Sequence, residues 1–108
     1  MSERPRIDIS PESWQVVRDL LRHHVPDRAV WAFGSRAKRT AKAFSDLDLV
    51  VVGEGALGID RMATLREAFQ DSVLPFKVDI VDWALTEEQF RKTIEESRVL
   101  LQDIQPLP

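Results

Sequence analysis

Two aspartates, Asp46 and Asp48, stand two residues apart in Ser45-Asp-Leu-Asp-Leu49. In a strand that spacing projects both carboxylates from one face and sends Leu47, Leu49 and Val51 the other way, into a core. A third acid, Asp79, sits inside Val78-Asp-Ile80, a setting otherwise suited to a buried strand, where a lone carboxylate is costly unless something pairs with it. Three such acids ask for a cation. Carboxylate oxygens with no histidine or cysteine near them in sequence suit a hard octahedral ion, Mg²⁺ or Mn²⁺ in its place, better than zinc.

Upstream, Gly34-Ser35 closes the apolar run Ala29–Phe33 and opens a stretch of helical composition from Arg36 to Lys42. The backbone amides of such a turn would cradle an anion at the positive end of a helix dipole. Arg36, Lys38, Arg39 and Lys42 follow with no acid among them, in a chain of net charge −3. Positive charge is thus concentrated where a polyphosphate needs it. Metal-binding carboxylates joined to that turn would bind a nucleoside triphosphate, with Mg²⁺ bridging acids and phosphates, and phosphoryl chemistry would follow.

The elements that must position these groups follow from periodicity. Ser10-Pro11-Glu12 starts a helix that runs to about His24, its apolar stripe including Trp14, Val16, Val17, Leu20 and Leu21, with Pro26-Asp27 as the stop. Ala29–Phe33, Leu47–Val52 and Lys77–Asp82 read as strands, and Ile59, Met62, Leu65 and Phe69 mark a helix between the last two. Thr86-Glu-Glu-Gln89 forms a capping box for a last helix whose apolar face is Phe90, Ile94 and Leu101, with Leu85 stapled to Phe90. Residues 1–8 and 102–108 read as tails. The order α-β-α-β-α-β-α predicts an α/β (α+β) fold, a small sheet of at least three strands flanked by helices.

The 108 residues, 44% hydrophobic and 31% charged, make one small domain spanning 1–108. Fifteen basic residues against eighteen acidic ones argue against gripping extended nucleic acid by charge. Without cysteine there is no disulfide framework or thiolate metal site. No apolar run approaches the length of a membrane span and no signal-peptide pattern follows Met1, so the expectation is a cytoplasmic protein, neither secreted nor membrane-spanning.

Gly34-Ser-Arg-Ala-Lys-Arg39 followed by Ser45-Asp-Leu-Asp-Leu49 resembles the G-S-x(10)-D-x-D signature of polymerase-β-like nucleotidyltransferases. Within them the chain most resembles the minimal nucleotidyltransferases, encoded beside an all-helical HEPN partner in two-gene modules, several of them toxin–antitoxin pairs. The similarity extends from the first helix through Val30-Trp-Ala-Phe-Gly-Ser35 to Val78-Asp-Ile-Val-Asp-Trp83. It implies a mixed-sheet polymerase-β-like fold, Asp46, Asp48 and Asp79 as catalytic metal ligands, and Gly34, Ser35, Arg36 and Lys38 on the triphosphate. It further implies transfer of AMP from ATP, with Mg²⁺, to a hydroxyl of the HEPN partner. The chain contains no tyrosine, so a modified tyrosine would belong to that partner. Trp31, Trp83 and Phe44 are candidates for docking it, Trp31 reading first as a core residue. His23 and His24 suit the negative end of their helix better than a metal.

Two departures from the family's usual G-S-x-A-R-G continuation are Lys38 for arginine and Arg39 for glycine. They leave open a second reading, a nucleotide-binding antitoxin that neutralises its partner by occlusion with weak or no catalysis. Transfer to a small molecule such as an aminoglycoside is a third, with no acceptor pocket visible in the sequence. A more remote alternative is a dinucleotide-binding domain, because Gly53-Glu-Gly-Ala-Leu-Gly58 also follows a strand and precedes a helix, with Asp79 and Asp82 farther on.

Overall fold

The computed structural model describes residues 4–104. Helix α1 (Pro11–His24) starts as its sequence dictates: the Ser10 hydroxyl accepts from the Ser13 amide at 3.1 Å, and Pro11 takes the first helical position. Its inner face buries Trp14, Val17 and Leu21. The chain continues as β1 (Ala29–Phe33), α2 (Gly34–Lys38), β2 (Leu47–Val52), α3 (Ile59–Gln70) and β3 (Val78–Asp82). A single 3-10 turn, Trp83–Leu85, leads to α4 (Glu88–Ser97) and β4 (Val99–Gln102).

The four strands lie in the order β3-β2-β1-β4. Strand β1 is antiparallel to both β2 and β4, while β2 and β3 run parallel across the α3 crossover. The sheet is therefore mixed. Alternation divides its side chains between two cores. Val30, Ala32, Leu47, Leu49, Val51 and Ile80 face Val17 and Leu21 of α1 and Met62, Leu65 and Phe69 of α3. On the opposite face Phe33 and Val50 pack under Ile94 of α4, with Trp31, Val52, Val81 and Trp83 around them. There Trp31 and Trp83 meet edge to face at 5.2 Å, with Arg98 over the first ring and Arg91 over the second.

Six expectations are corrected. The last helix stops at Ser97, and Val99–Gln102 pair with β1 as a fourth strand, so Leu101 belongs to β4. Gln102 opens no tail: its Nε2 donates to the Val25 and Arg28 carbonyls at 2.8 and 3.0 Å. At the other end Ile7 and Ile9 enter the core and Asp8 is bonded to residues 36 and 41, so the chain is anchored from Ile7 onward while Arg4 and Arg6 are exposed; 1–3 and 105–108 lie outside the described residues. The capping box does not form, because the Thr86 hydroxyl donates to the Trp83 carbonyl at 2.6 Å and the N-cap is Glu87. Leu85 is exposed, and Phe90 packs edge to face on Phe33 instead. Finally, α2 ends at Lys38, with Arg39 left-handed at φ 63°. Among the described residues no helix is long and apolar enough to cross a membrane.

Candidate active site

Strand register assembles the acids. Asp48 of β2 is paired residue to residue with Asp79 of parallel β3, and on its other side with Phe33, the last residue of β1. Both carboxylates belong to the face that Val50 and Val81 share, beyond the part covered by Ile94. Asp46, exposed and one residue before β2, lies on that same face by alternation. Asp79 pairs with Lys77 at 3.6 Å on the surface. The Asp48 carboxyl is held above the usual aspartate range, first by burial and then by the negative charges of Asp79 and Asp46. Three acids therefore share one face at this end of the sheet, and their carboxylate oxygens are of the type a hard divalent cation takes. Among the described residues, no three potential ligands stand close enough to enclose an ion without moving.

The turn faces these acids. Gly34 has φ 76°, and a Cβ there would collide with the Asp48 carboxylate oxygen and lie 3.3 Å from its Cγ. Glycine is required on both counts, backbone conformation and space. The Gly34 amide donates to the Ser97 hydroxyl at 3.1 Å, which ties the end of α4 to the turn. That first amide is occupied, so an anion would meet the amides from Ser35 onward. An open cleft of about 1030 Å³ runs from Phe33 and Asp48 across Asp79 to Val81 and Phe90.

The basic side chains are distributed differently from expectation. Arg36, assigned to the triphosphate, is only 5% exposed. Its guanidinium donates to the carbonyls of Ser45 at 2.9 Å, Asp8 at 2.7 Å and Ala43 at 3.2 Å, and stacks on Phe76 at 4.0 Å. With its donors so used, Arg36 holds the segment leading into Asp46 rather than a phosphate. The Asp8 carboxylate supports the same segment by accepting from the Ala41 amide at 3.1 Å, and Ser45 Oγ accepts from the Lys42 amide at 2.9 Å. Lys38 is exposed at the end of α2. The roles of Asp8, Phe76 and Ser97 left no mark in the sequence, since each acts on groups distant along the chain.

The second glycine string is closed. A Cβ at Gly53 would strike the Arg28 guanidinium, which bonds the Gly55 carbonyl at 2.7 Å. Asp82, a candidate ribose ligand in the dinucleotide reading, is buried and accepts from the amides of Leu57 at 2.6 Å and Ala84 at 3.1 Å. The loop is structural.

A mixed sheet with paired acids on adjacent parallel strands, set against a glycine turn, defines a class. The chain matches the family "Polymerase beta, Nucleotidyltransferase" over residues 15–106 and belongs to it. It is a nucleotidyltransferase by class, which retires the dinucleotide alternative. It is 44% identical to "Probable protein adenylyltransferase MntA" of Haemophilus influenzae, over 95% of this chain and 90% of that protein. Among solved structures, a toxin–antitoxin with AMP-PNP superposes with a TM-score of 0.70 at 24% identity, covering 85% of this chain and 74% of that one. A tri-AMPylated HEPN toxin in complex with MNT antitoxin, from Shewanella oneidensis, superposes at 0.65 and 20% identity, covering 85% and 71%. At those identities the likeness is one of fold.

Proposed function

We propose that the chain transfers AMP from ATP to a hydroxyl of a partner protein, the HEPN protein encoded by a neighbouring gene, and so acts as an antitoxin in the cytoplasm. The observation that carries this reading is the direct pairing of Asp48 with Asp79, beside a glycine that must be glycine for Asp48 to fit. The protein substrate is supported by the extent of the similarity to the Haemophilus influenzae adenylyltransferase.

Asp46, Asp48 and Asp79 would hold Mg²⁺, and Mn²⁺ in its place. Bound there, the metal supplies charge neutralisation for the triphosphate and acidifies the acceptor hydroxyl. The chain's own groups do the rest. Ser35 and the amides after it would face the phosphates with Gly34 at the turn, and exposed Lys38 would add positive charge nearby. Asp79, at the open edge, would take the acceptor's proton as its oxygen bonds the α-phosphorus and the bond to pyrophosphate breaks. The products are the AMP ester, pyrophosphate and one proton.

Incubation with the HEPN protein, α-labelled ATP and Mg²⁺ should label the partner, and chelation of the metal should abolish the signal. Changing Asp46→Asn together with Asp48→Asn should do the same. Label that survives the double change would sink the assignment. The occlusion reading gains nothing from Arg39, because the backbone there already adopts the left-handed turn that a glycine would favour.

A further inference from the structure

The end of α4 is fixed against the glycine turn from two directions. Phe90, Ile94 and Ser97 recur at four- and three-residue spacing and so share one face of the helix. That face runs along the end of β1. Phe90 packs edge to face on Phe33 at 5.7 Å, Ile94 is buried with Phe33 and Val50, and Ser97 Oγ accepts from the Gly34 amide at 3.1 Å. Two residues past Ser97 the chain is held again, because Val99 of β4 is paired with Ala32 of β1. The hydroxyl is therefore in place before any ligand arrives, which lowers the ordering cost of binding one.

A serine hydroxyl has one proton to give and two lone pairs with which to receive. In Ser97 one lone pair takes the Gly34 proton, while the hydroxyl's own proton finds no acceptor among the described residues. The residue is only half-buried, so it remains open to a ligand. Gly34 also abuts Asp48, since a Cβ on it would meet that carboxylate. A free donor and an acid of the site thus touch one glycine. The neighbouring cation, Arg98, lies over the Trp31 ring at 4.4 Å and is engaged there.

We propose that Ser97 is a phosphate-binding residue, its hydroxyl donating to an outer phosphate of the nucleoside triphosphate while accepting from Gly34. The first amide of the turn then acts on the ligand through the hydroxyl rather than directly. A charged phosphate oxygen is a stronger acceptor than a neutral one, and a hydroxyl that is itself accepting a hydrogen bond is polarised toward giving its proton. The α-phosphate, which is transferred, belongs with Asp48 and Asp79, so the turn takes the phosphates beyond it. That assignment of phosphates rests on the transferase reading, whereas the place of the hydroxyl at Gly34 does not.

Calorimetry with ATP and Mg²⁺ reads the contact without any transfer. Ser97→Ala should weaken ATP binding about tenfold, whereas AMP, which lacks the outer phosphates, should bind both chains equally. Ser97→Thr returns a hydroxyl to the same helical position and should restore the affinity for ATP. An unaltered thermal unfolding midpoint would certify the fold of each variant. In transfer to the HEPN protein, Ser97→Ala should raise the KM for ATP by the same factor, with kcat changing less. ATP that binds Ser97→Ala as well as wild type overturns the proposal, and tighter binding does so by showing that the hydroxyl masks the Gly34 amide. An equal loss for AMP and ATP, or a loss that threonine does not restore, also overturns it, by making Ser97 a prop for the turn. A wild-type chain that binds ATP yet leaves the HEPN protein unlabelled defeats the transfer reading, and the ATP comparison still decides on Ser97. A wild-type chain that does not bind ATP overturns both.

Discussion

Two glycine-bearing turns follow strands in this chain, and their fates differ. Gly34 comes after β1 with a carboxylate packed against it from the neighbouring strand, and that carboxylate and the preceding Phe33 line a cleft. Gly53 comes after β2 with an arginine packed against it, and that arginine closes the loop through the Gly55 carbonyl. The strings look alike because glycine only permits close approach. What approaches decides the role: an acid on the face it shares with Asp79 is left to face the cleft, and a cation bonded to a carbonyl makes a clasp.

The largest test of that contrast substitutes the glycines. Gly34→Ala must displace Asp48, and transfer to the partner should fall about a hundredfold or more, whereas Gly55→Ala, with open space around it, should leave the initial rate unaltered. Equal losses in the two variants would erase the distinction. Next comes the arginine behind the acids. Arg36→Lys keeps the charge but loses the planar fork over three carbonyls, so chemical denaturation should show a loss of about 2 kcal/mol, with a matching fall in rate.

A smaller effect separates the acids from ordinary surface carboxylates. Asp48 has a raised pKa, so the metal-free folded chain holds that proton more tightly than the unfolded one. Stability must then fall as pH rises from the ordinary aspartate range through the raised value. Removing the charge removes that loss. In EDTA, urea unfolding should find Asp48→Asn more stable than wild type near neutral pH and no more stable in acid. Added Mg²⁺ should close the neutral-pH gap by stabilising the wild type. A variant that gains nothing near neutral pH would show that the acids do not crowd one another. The smallest change is expected at Arg39→Gly, where relief of the left-handed backbone is offset by a looser unfolded chain, moving the unfolding free energy by no more than about 1 kcal/mol.

Local signals carried much of this architecture. Ser10-Pro11, the alternation of Leu47–Val52 and the period of Ile59, Met62, Leu65 and Phe69 each specify an element through neighbours in sequence, and each element formed where expected. The D-x-D spacing did the same for two of the acids. Non-local pairing was not legible. Val99–Gln102 follows a helix without glycine or proline and becomes a strand because Trp31 and Ala32 of β1 offer it an edge. Leu101 happened to continue the helical period of Phe90 and Ile94, which disguised the boundary. Arg36 misled for a related reason: a cation after a phosphate-type turn reads as a ligand, and only the carbonyls of Asp8, Ala43 and Ser45, gathered by folding, show that each of its three nitrogens is engaged and its side chain buried.

The Trp31–Trp83 contact bridges β1 and the end of β3 over the strand between them. Two indoles at that distance and angle couple their electronic transitions, while Trp14 sits apart beneath α1. Near-ultraviolet circular dichroism therefore reads the spacing of β1 and β3 without any attached dye, and it will register whether loading the molecule opens or tightens the sheet.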